Sequence, residues 1–156
     1  MKLIIHDYEL PLLHPFTISR ETIDVQPSVI VELTDGEFSG YGEATTNRYY
    51  GATKERLREL LESFSKTVEQ ATWDDPAELW ELANAQMKDS FAVCALDLAA
   101  HDLWGKRLGK PVHELWGLST ENTVVSNYTI GIDEIEVMVR KMAEFGDWPV
   151  YKIKLG

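Results

Sequence analysis

From about residue 120 the chain changes its pattern. Residues 123–132 form a β-branched, apolar run of the buried-strand type. Asp133 and Glu136 have the spacing of a helix capping box. Ile135, Met138, Val139, Met142 and Phe145 then recur at helical spacing, Gly146 and Pro149 stop the helix, and residues 150–155 return to strand character. Strand, helix and strand over this distance make a parallel βαβ unit, because a parallel return needs a crossover. Two parallel strands and one helix cannot bury both faces of a sheet. The unit over 121–156 is therefore expected to open a larger α/β assembly. A (β/α)8 barrel takes roughly 250 residues, so residues beyond Gly156 or partner chains are expected to complete the sheet.

Residues 1–120 read differently. Residues 2–10 are expected to be a strand, broken by Pro11, His14 and Pro15, with 16–26 as a loop leading to a second strand. Asp35-Gly36 between two β-rich runs signals a hairpin, because glycine accepts the positive φ of a tight turn. Three helices follow. Leu57, Leu60, Leu61, Phe64 and Val68 mark the first, with Thr53 as its cap. Asp75-Pro76-Ala77-Glu78 opens the second. The third, about 90–106, carries Ala92, Ala95, Ala99 and Ala100, small side chains that let a helix lie close to its neighbours, and Gly105 and Gly109 end it. The fold class is thus an α+β domain over 1–120 followed by the start of an α/β barrel that is incomplete in this chain.

Charge narrows the partners. Lys and Arg number 15 against 26 Asp and Glu, a formal charge of −11. Such a surface repels phosphate backbones and anionic bilayers, so neither nucleic acid nor membrane is an expected partner. No apolar run approaches the ~18 residues of a membrane span, and the N-terminus lacks the apolar region and cleavage site of a signal peptide. A cytoplasmic location is expected. The single cysteine, Cys94, agrees with it and is read as a small core residue.

The last strand carries the most informative chemistry. Lys152 and Lys154 share one face by alternation, with Tyr151, Ile153 and Leu155 on the other. On an open sheet this is a solvated polar face. In a barrel, the apolar side meets the outer helices and the lysines enter the mouth where barrel active sites lie. Two ammonium groups crowded there would disfavour one another's charge, leaving one amine free to act as a base and the other to offset negative charge on a substrate. Asp97, His101 and Asp102 lie within one and a half turns of a helix and are read as hydrogen-bonded packing residues. The four histidines show no metal-ligand spacing.

Three segments resemble the mandelate racemase and muconate-lactonizing branch of the enolase superfamily: Gly40-Tyr41-Gly42-Glu43-Ala44, the helical run 92–106 continuing into 110–117, and Tyr151-Lys152-Ile153-Lys154-Leu155-Gly156. They stand in family order and span essentially the whole chain. The resemblance implies an N-terminal α+β capping domain over a modified barrel. It also implies removal of a proton α to a carboxylate, with Mg2+ stabilising the enediolate. Lys154 would be the acid/base on one face of the substrate and Lys152 its electrostatic and carboxylate-binding partner. The metal ligands and the opposing lysine would lie beyond Gly156, so the chain contains none of the metal site and is expected to be inactive alone.

Residues 126–133 further resemble the dipeptide epimerases, in which the threonine, here Thr129, contacts substrate. A plain β-branched strand residue is the alternative. Arg20 sits where those enzymes carry a mobile capping loop. It could hold a terminal carboxylate by a bidentate contact or be a surface arginine. The expected substrate is a small dipeptide or related carboxylate, and the resemblance leaves room for a homo-oligomer. The competing expectations are another reaction of the branch (a cycloisomerase, an o-succinylbenzoate synthase or an N-acylamino-acid racemase) or a non-catalytic capping-domain module.

Overall fold

Asp35 and Gly36 turn the chain as their sequence demands. The Asp35 carboxylate accepts the N–H groups of Glu37 at 3.0 Å and Phe38 at 2.8 Å, and Gly36 takes a φ of +99°. This turn joins β2 (Glu21–Thr34) to β3 (Ser39–Thr45), and with β1 (Lys2–Ile18) they form an antiparallel-type meander in the order β1-β2-β3. The computed structural model describes residues 1–156.

The register of β2 on β3 explains how the sheet accepts a helix. Val29, Val31 and Leu33 lie opposite Ala44, Gly42 and Gly40, all buried on one face. The large side chains come from β2 and the small ones from β3. The helix α3 (Ser90–Leu108) settles onto β3 through Ala95, Ala99 and Leu103. A Cβ on Gly40 would stand 2.2 Å from the Ala99 carbonyl oxygen, so close approach of the helix requires glycine there. The helices α1 (Lys54–Gln70) and α2 (Pro76–Met87) complete the layer, burying Leu57, Leu61, Phe64, Val68, Leu79 and Ala83. Thr53 caps α1 by accepting from the Arg56 N–H, and Asp75 caps α2 by accepting from the Ala77 N–H, with Pro76 in the first turn. Gly109, at φ +63°, ends α3. A single turn, α4 (Val112–Leu115), follows.

The chain divides into two compact units, residues 1–9 with 27–119, and residues 10–26 with 120–156. The second contains β4 (Tyr128–Ile130), α5 (Ile135–Glu144) and β5 (Tyr151–Ile153), with β4 and β5 parallel. The expected βαβ unit is present, and the fold is α+β with only this opening of an α/β layer.

Several expectations give way. β1 runs unbroken through Pro11 and Pro15, and 21–26 belongs to β2, so a strand pair replaces the expected loop. β1 is an edge strand, where proline costs no ladder bond. The strand expected over 123–132 shrinks to three residues, and Val124 and Val125 are exposed, because a strand persists only where a neighbour takes its backbone groups. The capping box at Asp133 and Glu136 does not form. Glu134 is the N-cap, without a side-chain bond, and Asp133 turns to Lys141. In the expected apolar stripe, Ile135 and Val139 are 74% and 58% exposed, while Lys141 is buried, so that stripe is only half covered. Cys94 is exposed on α3, not in the core, because the alanines occupy the sheet-facing positions.

Candidate functional site

In the second unit, strand alternation sorts the side chains. Tyr128 packs on Phe145 and Trp148, with ring centroids 4.5 and 6.1 Å apart, and the Tyr151 hydroxyl donates to the Phe145 carbonyl oxygen. These residues face α5. Thr129 and Lys152 are register partners on the opposite face. Lys154 follows two residues on, half-buried, and its N–H donates to the Ile130 carbonyl oxygen at 3.0 Å. The parallel pairing thus brings Thr129 and Lys152 side by side, and Lys154 follows just past the end of β5. Lys152 itself is exposed. Arg20 stands exposed in the turn between β1 and β2, midway along the segment 10–26 that belongs to this unit.

A cavity of about 440 Å3 opens beside Thr129, walled by Phe16, Ile23, Gln26, Tyr128 and Lys141. Lys141 was not singled out by the sequence, where it reads as one more helix-surface lysine. It is 8% exposed, and its Nζ donates to the Asp133 carboxylate at 3.0 Å. That contact, aided by the Glu134 N–H, holds the Asp133 carboxyl below the usual carboxylate range. The eight-residue spacing, close to two helical turns, was the available signal. His14 was likewise read only as part of a strand break. Its Nε2 lies 2.6 Å from the Glu144 carboxylate.

In the first unit, Asp97, His101 and Asp102 do structural work, as expected. The Asp102 carboxylate accepts the Tyr41 N–H at 2.8 Å and the Lys106 ammonium at 2.7 Å, and Lys106 also donates to the Ser39 carbonyl oxygen at 2.7 Å. These contacts pin β3 to α3. The His101 Nδ1 lies 2.9 Å from the Asp97 carbonyl oxygen. No group of three or more His, Cys, Asp or Glu side chains converges in the chain. No helix is long and apolar enough to cross a membrane.

The chain is 49% identical over 157 residues to an L-Ala-D/L-amino acid epimerase of Flavobacterium johnsoniae and 45% identical over 156 residues to one of a Maribacter species. Each alignment takes in all of this chain and 46% of the relative. A crystal structure of a dipeptide epimerase from Enterococcus faecalis, complexed with Mg and the dipeptide L-Leu-L-Tyr, superposes with a TM-score of 0.85 at 28% identity. It covers 99% of this chain and 45% of that one. The chain therefore spans a little under half the length of the relatives it matches. The family model for the mandelate racemase / muconate lactonizing enzyme N-terminal domain matches residues 1–117, and with the Gly-x-Gly strand seated on its alanine-rich helix, the chain belongs to that family, within the enolase superfamily.

Proposed function

We propose that these residues form the front of a dipeptide epimerase, and that β4 and β5 carry one side of its catalytic face. The observation that carries the reading is the pairing of Thr129 with Lys152 on the face away from α5. The identity of 49% to an L-Ala-D/L-amino acid epimerase supports it. On this reading Lys154 takes the α-proton of the C-terminal residue of the dipeptide on its side-chain nitrogen. The electron pair of the broken C–H bond delocalises into the adjacent carboxylate as an enediolate. The Lys152 ammonium, one alternation away, sits where it offsets the charge that builds on the carboxylate oxygens. On this reading Thr129 orients that carboxylate through its hydroxyl, and Arg20 meets a distal carboxylate through its guanidinium. A proton returned to the opposite face of the carbanion completes the inversion. On this reading its donor and a divalent-cation site come from other residues. Mg2+ enters the proposal only as an ion held by other residues of a polypeptide of the relatives' length.

The test is α-proton exchange in heavy water across an L-Ala-L-Xaa library, followed by proton NMR. It compares a polypeptide of the relatives' length carrying these residues with its Lys154→Ala variant. Exchange and inversion that vanish with Lys154 are expected. Retention of configuration on every dipeptide would sink the reading.

A further inference from the structure

Residues 10–26 are the turn end of the β1–β2 pair, and they belong to one compact unit with 120–156. A backbone bond and a side-chain contact are among the attachments. The Ile132 N–H donates to the Thr17 carbonyl oxygen at 2.8 Å, just past β4. The His14 Nε2 meets the Glu144 carboxylate at 2.6 Å, in the last turn of α5. The backbone contact is tight: a Cβ on Gly131 would stand 2.9 Å from the Thr17 nitrogen, so the segment rests directly on a glycine. Thr17 and Thr22 are joined through their hydroxyls at 2.9 Å, which ties the two arms together below the turn. Leu12, Phe16, Ile23 and Gln26 of this segment form one side of the cavity beside Thr129.

We propose that residues 10–26 form a strap over the βαβ unit, that His14 and Glu144 are its clasp, and that the clasp sets the position of the turn bearing Arg20. The physical logic is leverage: an attachment away from the seat at Thr17 and Ile132 fixes the orientation of the ribbon as well as its position. Glu144 is the only acidic side chain in the last turn of α5, and the His14 ring reaches it from across the cavity wall. The assignment concerns the strap alone and stands whether or not the unit carries catalysis, so its failure would leave the epimerase reading untouched.

The experiment uses the 156-residue chain and amide hydrogen exchange. The Ile132 amide reports the strap, and the amides of α3 report the first unit. In His14→Ala, Glu144→Ala and the isosteric Glu144→Gln, the Ile132 amide is expected to exchange about threefold faster or more, with α3 unchanged, as suits a partly exposed pair. The double variant should exchange no faster than either single, and His14→Lys should restore protection. Trypsin, which cuts after Arg20, should cut the clasp variants faster by a similar factor. Unchanged exchange at Ile132 in Glu144→Gln would overturn the proposal. So would single effects that multiply in the double variant, or equal acceleration throughout α3.

Discussion

A Cβ on Gly42 would stand 1.9 Å from the carbonyl oxygen of Ala95. No carbon sits that close to a backbone oxygen, so the glycine and the helix carbonyl define each other's place. Side chains could rotate away, but a helix carbonyl cannot. Gly42→Ala is expected to destabilise the chain by about 3 kcal/mol, the upper range for overpacking, read as a lower urea midpoint at unchanged m-value. A change within experimental error would show that α3 can lift from β3.

The Asp35 carboxyl is held down to about 2 from an ordinary 3.8. The cause is first the Phe38 N–H, then the Arg107 guanidinium at 2.7 Å, then the Glu37 N–H. A carboxyl whose folded value is depressed contributes stability above its unfolded value and loses it as pH falls toward the folded one. Asp35→Asn is therefore expected to cost about 1–2 kcal/mol at pH 6. The difference from the parent should shrink from about pH 4 and close near pH 2. Urea titrations at several pH values check it; a difference that persists unchanged at pH 2 would contradict this account.

Lys141 and Asp133 make an asymmetric pair, with a buried ammonium and a more exposed carboxylate. Removing the carboxylate strands a charge in the cavity wall, whereas removing the charge leaves a carboxylate that water can reach. Asp133→Asn is thus expected to lower the thermal midpoint more than Lys141→Met. The order of the two midpoints in calorimetry is the test, and the reverse order would contradict it.

If the lysine face works as proposed, its two lysines fail differently in a polypeptide of the relatives' length. Lys154→Ala should cut α-proton exchange by about 10²–10⁴-fold, the range for loss of a general base. Lys152→Ala should show a larger share of its loss in KM. Equal effects of both on kcat alone would reassign the base.

Much of the front half was legible because its signals are local. Thr53, Asp75 and Gly109 do at their helix ends what their side chains dictate, and Asp35-Gly36 makes its turn from four adjacent residues. The alternation of Lys152 and Lys154 against Tyr151 needed only the period of a strand. What misled was the absence of neighbours. The run 123–132 and the stripe from Ile135 to Phe145 are written for partners, and with few of them present the strand is short and half the stripe faces out.

The sequence by itself determined the caps of α1 and α2, the end of α3, the turn at Asp35-Gly36, and which residues are small enough to let a helix approach. Only the tertiary structure decided that Pro11 and Pro15 lie inside an edge strand, that Lys141 is buried, and that His14 meets Glu144 across 130 positions. The reason is range. Caps, turns and alternation are set by bonds among near neighbours. Burial and distant pairing depend on which surfaces the folded chain brings together, and no local spacing encodes that.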